Sequence, residues 1–282
     1  MINKHPFIQR SIRWALEEDL GHGDLTTEII ITSDAKGEAS LIARKDLVLA
    51  GLPVFKMVFD ELYPSIQFEE YFKEGDIVPA GTIVCLLKGP LDIILIGERT
   101  ALNFLQRMSG VATLSRQYVD SVAHLGTRIL DTRKTVPGLR WFDKYAVQAG
   151  GGSNHRFGLF DGILIKDNHL AVAGSITKAV RLAKKGAPHT LKVEVEVEDL
   201  AGVQEALDAG ADIILLDNMD IEDMKKAVAL TNGRVQLEAS GGITLDTVAK
   251  VAETGIDMIS VGALTHSAIA ADFSLEITTS NG

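Results

Sequence analysis

The second half of the chain alternates short apolar runs with amphipathic segments at nearly constant spacing. This alternation limits the fold more than any other feature. Strand-like runs lie at RIL (128–130), GILI (162–165), KVEVEV (192–197), DIILL (212–216), VQLEA (235–239) and DMISV (257–261). Between them come helical patterns such as GSITKAVRLAKKG and TLDTVAKVAETG. The last four run ends, near Glu196, Asp217, Glu238 and Ser260, recur at 21, 21 and 22 residues. Regular βα units with right-handed crossovers give a parallel sheet, either open or closed as a barrel. Six strands are two short of a full (β/α)₈ barrel. An incomplete, TIM-like α/β barrel is therefore expected. A doubly wound sheet is the alternative, but no GxGxxG follows a strand to mark a dinucleotide fold. The stretch 131–161, rich in Gly and basic residues, is left to irregular structure.

The first half has a different texture. Ile8, Ile12, Ala15 and Leu16 recur at helical spacing. Then EASLIARKDLVLAG, SIQFEEYFKEGDIV and GTIVCLLKG read as β segments separated by Gly, Pro and Asp turns. GLPVFKMVFDELYP reads as a helix stopped by Pro64. A small α+β domain is expected over 1–110 and the barrel over 111–267. The EGDIVPAGTIV turn is similar to hairpins of lipoyl- or biotinyl-carrier domains. No Met-Lys pair accompanies it, so an ordinary tight hairpin is the reading.

The net charge of −10 argues against a general nucleic-acid binder or an anionic-membrane binder. Nucleic acid and membrane are thus not expected partners. The single cysteine, Cys85, rules out an internal disulfide framework and a multi-cysteine metal site, and suits a cytoplasmic location. The opening MINKHPFIQRSIRWALEEDLG has no apolar core of a signal peptide, and no apolar run reaches the ~18 residues of a membrane helix.

In βα barrels the chemistry sits at the C-terminal ends of the strands. Those ends carry Asp131-Thr132-Arg133-Lys134, Lys166-Asp167-Asn168-His169, Glu196, Asp217-Asn218, Glu238 with Ser240-Gly241-Gly242, and Val261-Gly262-Ala263. Six successive polar or glycine ends point to one shared rim. Glu194 alternates with Glu196, so it faces the same way but deeper, as a partner for a basic residue. Glu196 and Asp217 suit a hard cation such as Mg²⁺, directly or through water. The glycine turns on the last two strands suit a phosphate. Arg133, Lys134, Arg140, Lys144, Arg156 and Lys166 crowd into positions 133–166, with Arg99 and Arg107 on the preceding helix and His155 after a GGG run. In so acidic a chain this reads as an anion pocket, with arginine forks for planar carboxylates and lysines for phosphate. His169 suits a hydrogen-bonding role as well as a chemical one.

The segments ERTALNFLQRMSG, DTRKTVPGLR, AVQAGGGSNHRFGLFDGILIKDNH, KVEVEV, ADIILLDN and LEASGGIT together resemble the quinolinate phosphoribosyltransferases. The likeness runs from WALEEDLGHGDLTT to DFSLEI, nearly the whole chain. It implies an N-terminal α/β sandwich, to which 268–282 returns, beside the incomplete barrel. It implies transfer from 5-phosphoribosyl-1-pyrophosphate to quinolinate with Mg²⁺, giving nicotinate mononucleotide, CO₂ and pyrophosphate for NAD synthesis. Arg133, Arg156 and Lys166, with Thr132, Lys134 and His155 nearby, would hold quinolinate. Ser240, Gly241 and Gly242, with Val261, Gly262 and Ala263, would hold the phosphate. Glu196 and Asp217 would serve ribose and metal, and with Lys134 and Lys166 make the catalytic set. The resemblance also implies a homodimer, open to assembly as a hexamer, in which Arg99 reaches the partner's site. Close alternatives are a nicotinate-using transferase or a molybdenum-associated relative of the same fold. More distant ones are a Schiff-base aldolase using Lys166 and a non-catalytic carrier.

Overall fold

A computed structural model describes residues 5–32 and 34–278. In chain order the elements are α1 (Pro6–Leu20), α2 (Leu25–Ile30), β1 (Lys36–Ala43), β2 (Leu47–Val48), α3 (Leu52–Leu62), β3 (Gln67–Glu70), β4 (Ile77–Val78), β5 (Ile83–Pro90) and α4 (Leu91–Val122). There follow β6 (Arg128–Leu130), α5 (Arg140–Ala149), β7 (Ile163–Ile165), α6 (Asp167–Ala173), α7 (Ile176–Gly186), β8 (Val193–Val197) and α8 (Leu200–Ala209). The chain ends with β9 (Ile213–Asp217), α9 (Ile221–Thr231), β10 (Gln236–Ser240), α10 (Leu245–Ala252), β11 (Met258–Ser260), α11 (Ala263–His266) and β12 (Phe273–Thr278).

These elements form two compact units. One holds residues 1–114, 136–151 and 268–282; the other holds 115–135 and 152–267. The first unit thus takes in 136–151, beyond an expected boundary at 110. It is built on an antiparallel sheet in the order β12-β1-β5-β3, with a small β2-β4 pair. The α1 helix starts where Pro6 supplies a fixed φ and the His5 ring accepts the Phe7 N–H. It buries Ile8, Ile12 and Leu16, one stripe at helical spacing. The α3 helix buries Leu52, Val54, Phe55, Val58 and Phe59. The returning strand β12 pairs with β1 from Ala43↔Phe273 to Glu38↔Thr278.

Residues 140–149, expected to be irregular, form α5. Its segment RWFDKYAVQA lacks a capping side chain, so the sequence carries no start signal there. The first unit fixes the helix instead. Arg107 donates to both carboxylate oxygens of the fully buried Asp143, at 3.0 and 3.1 Å. Phe104 and Phe142 pack with ring centroids 4.9 Å apart.

The second unit is a six-stranded parallel sheet in the order β6-β11-β10-β9-β8-β7. This is the expected barrel with a gap, since β6 and β7 are its edges. Ser153 adds a parallel bridge to Leu130, so the chain after α5 lies along the free side of β6. Alternation divides the strand residues between two faces. Val193, Val195, Val197, Ile214, Leu216, Leu237 and Ala239 are buried and lie on one face. Buried helix residues such as Val180, Val203, Ala227 and Val251 belong to the layer on that face. The opposite, interior face carries Glu194, Glu196, Leu215, Asp217, Glu238 and Ser240.

Candidate active site

The C-terminal ends of all six parallel strands meet at one cavity of about 720 Å³, the size of a small-ligand site. Its cations come from the two sheet edges. Arg133 and Lys134 follow β6, His155 and Arg156 follow the bridge at Ser153, and Lys166 follows β7. Its acids Glu196 and Asp217 end β8 and β9, and its glycine turns follow β10 and β11.

Each of these groups is held by local chemistry. Thr132 Oγ1 accepts the Lys134 N–H at 3.0 Å, and the Thr265 hydroxyl donates to the Lys134 carbonyl at 2.8 Å. A Cβ on Gly262 would lie 3.0 Å from Lys134 Cδ, so glycine there gives the lysine stem room to pass. Lys166 Nζ pairs with the Glu196 carboxylate. Asp217 accepts from Asn218 Nδ2 at 2.9 Å, and the Asn218 N–H donates to the Ser240 carbonyl at 2.9 Å. Gly241 sits at φ +101°, where a Cβ would meet Asn218 Oδ1 at 2.2 Å. Only glycine fits that turn, and its bare backbone lies just before Thr244, which starts α10.

Behind this rim sits a buried acidic group. His155 Nε2 is 3.2 Å from Glu194 Oε2 and 3.7 Å from Glu238 Oε2. Glu194 is thus the deeper partner of a basic residue. Burial pushes the Glu238 carboxyl up to about 7, reinforced by the Glu194 charge and opposed by His155. Burial, and then the nearby Arg133, lowers Arg156 from the usual guanidinium range, while Glu194 works the other way.

Every residue expected at the substrate site lines this cavity except Arg99, which lies on α4 in the first unit. Arg140, Lys144 and Arg107 also belong to the first unit. Lys144 is 2% exposed, and Arg107 is the partner of Asp143. The basic run 133–166 is therefore divided between two units. His169 takes the hydrogen-bonding role, its Nδ1 accepting the Lys166 N–H at 2.9 Å. Among the described residues, the one His/Asp/Glu group of three or more with metal-like spacing is His155, Glu194 and Glu238, not one built on Glu196 and Asp217. The cavity also includes Glu238 and Asn218, noted only as strand-end residues in the sequence. Thr244 and His266 line it as well. Thr244 had a signal, as the residue opening the helix after the SGG turn. His266 had none, because a four-residue helix brings it back to the rim.

Models of the quinolinate phosphoribosyl transferase C-terminal and N-terminal domains match residues 111–276 and 24–109. A probable nicotinate-nucleotide pyrophosphorylase [carboxylating] of Bacillus subtilis is 44% identical over 264 residues, covering 94% of this chain and 91% of the relative. A chloroplastic nicotinate-nucleotide pyrophosphorylase [carboxylating] of Arabidopsis thaliana is 44% identical, covering 95% and 82%. The crystal structure of NadC from Streptococcus pyogenes superposes with a TM-score of 0.94 at 44% identity, covering 97% and 98%. Among the described residues no helix is long and apolar enough to cross a membrane.

Proposed function

The chain belongs to the quinolinate phosphoribosyl transferase family, and from that premise we propose that it transfers the phosphoribosyl group of 5-phosphoribosyl-1-pyrophosphate to quinolinate. The products are nicotinate mononucleotide, CO₂ and pyrophosphate, which places the chain in NAD biosynthesis. The observation that carries this reading is the segregation of charge in the cavity. Arg133, Lys134, Arg156 and Lys166 gather at the two sheet edges of a chain whose net charge is −10.

Quinolinate bears two adjacent carboxylates, which suit the forks of Arg133 and Arg156 and the point charge of Lys166. The backbone at Ser240-Gly241-Gly242 and Val261-Gly262-Ala263 suits the 5-phosphate. Glu196 and Asp217 accept hydrogen bonds from the ribose hydroxyls. Their charge also stabilises the oxocarbenium-like ribose that develops as the C1–pyrophosphate bond breaks. The pyridine nitrogen then forms its bond to C1. The C2–carboxylate bond breaks, CO₂ leaves, and the electron pair stays on C2 beside the cationic nitrogen until C2 takes up a proton. Lys134 and Lys166 balance the negative charge of the reactants. The protein acts by orientation and charge placement, with no covalent nucleophile.

Two carboxylates with hard oxygens are what Mg²⁺ commonly takes beside substrate phosphates, and Glu196 and Asp217 match that donor set. When bound, the ion neutralises charge on the departing pyrophosphate. We read the active assembly as a homodimer in which Arg99 completes the partner's site, a hexamer being compatible with it. We also read the location as cytoplasmic, in line with a lone buried cysteine.

The test is direct. The protein is mixed with quinolinate, phosphoribosyl pyrophosphate and Mg²⁺, and nicotinate mononucleotide and CO₂ are measured. Both are expected in equal amounts. Turnover of nicotinate without turnover of quinolinate overturns the assignment.

A further inference from the structure

Resting on that reading of the cavity, we infer that Glu194 and Glu238 are positioning residues, which act through His155 to hold Arg156 toward the substrate's carboxylates.

The His155 ring is engaged by protein at both nitrogens. Its Nδ1 accepts the Arg156 backbone N–H at 2.7 Å. An accepting Nδ1 leaves the ring hydrogen on Nε2. Nε2 lies 3.2 Å from Glu194 Oε2 and 3.7 Å from Glu238 Oε2. The His155 backbone N–H is fixed as well, donating to Oδ1 of the fully buried Asp131 at 2.8 Å. The imidazole thus bridges the acids below to the Arg156 backbone above. Beyond it, Arg156 Nη1 donates to the Gly162 carbonyl at 3.1 Å. Arg156 Cβ sits where a Cβ on Gly162 would be only 3.0 Å away. Arg156 is thus held at its backbone by the His155 ring and at its guanidinium by the Gly162 carbonyl.

Glu194 and Glu238 are 5% and 1% exposed, and Oε1 of each is buried without a hydrogen-bond partner. Carboxyls left this way destabilise a fold. Packing alone favours an apolar side chain at both positions. What Glu194 supplies is a carboxylate within reach of His155 Nε2 and a negative charge beneath Arg133 and Arg156, which repel one another, while Glu238, farther from the ring, shares a side-chain hydrogen bond with Glu194 and so holds it in place. Two forked cations can then stay close enough to receive two adjacent carboxylates.

The test compares Glu194→Met and Glu238→Met, which keep volume but lose the polar contacts, with Glu194→Gln and Glu238→Gln, which keep a polar side chain of the same shape. The Met variants are expected to raise KM for quinolinate at least tenfold. KM for phosphoribosyl pyrophosphate should stay within threefold, and the melting temperature should not fall. Glu238→Gln should recover KM for quinolinate to within threefold of wild type, whereas Glu194→Gln, which keeps a polar acceptor but loses the charge, should fall between wild type and Glu194→Met. Equal rises in both KM values, no rise, or Gln variants as impaired as Met overturn the inference. Nitrogen NMR of the His155 ring in the wild-type protein needs no variant. An Nε2–H tautomer with a slowly exchanging proton is expected, and an Nδ1–H tautomer overturns the inference. Failure of wild-type turnover speaks to the proposed function instead. Binding of phthalate, an aromatic 1,2-dicarboxylate, then provides the same comparison. Wild type binding it no better than the Met variants overturns the positioning role.

Discussion

At the residue scale, the site depends on side chains that are costly where they stand. Glu238 shows this through its pH dependence. Its carboxyl is raised from an ordinary 4.5 to about 7, first by burial and then by Glu194. Between those values the folded chain holds a proton that the unfolded chain has released. Stability from this group therefore falls as pH rises from about 4.5 to about 7, and the penalty is complete above that. Denaturant midpoints measured across this range should show the trend as a difference between wild type and Glu238→Gln. The difference should favour the variant at pH 8 and shrink toward pH 4.5. A difference that is flat with pH would show that burial leaves Glu238 unshifted. At this scale the sequence revealed much. Arginines, lysines and acids at successive strand ends were visible as a pattern, because strand alternation and the strand-end rule need no coordinates. Which acid meets which histidine was not visible, since Glu194, Glu238 and His155 lie on three separate segments.

At the element scale, β12 shows how a short terminal segment completes a sheet. It covers β1 over six paired positions and buries Phe273 and Leu275. Deleting residues 272–282 exposes the β1 edge and removes those two side chains from the core. A loss of about 3–6 kcal/mol is expected from their burial alone. Denaturant unfolding checks it, and a loss under 1 kcal/mol would show that β12 adds little. The parallel strands were legible because βα periodicity is local. The α5 helix was not, because partners far along the chain, Arg107 and Phe104, hold a segment with no cap of its own.

At the scale of the whole molecule, the proposed dimer predicts complementation. Arg99→Ala and Arg133→Ala variants should each be nearly inactive. Mixed after subunit exchange, they should recover up to about a quarter of wild-type activity, since half the dimers are mixed and each holds one intact site. No recovery despite verified exchange would place Arg99 in its own chain's chemistry or in none. The sequence by itself determined the class of fold and the residues at the rim. Repeating βα units leave few ways to bury their apolar faces, and those ways put strand ends together. Only the tertiary structure decided how the charges are sorted. It divided the basic run 133–166 between two units and paired Arg107 with Asp143. It also brought Glu194 and Glu238 beneath His155. Sorting of this kind depends on distances between segments remote in sequence, which no local pattern encodes.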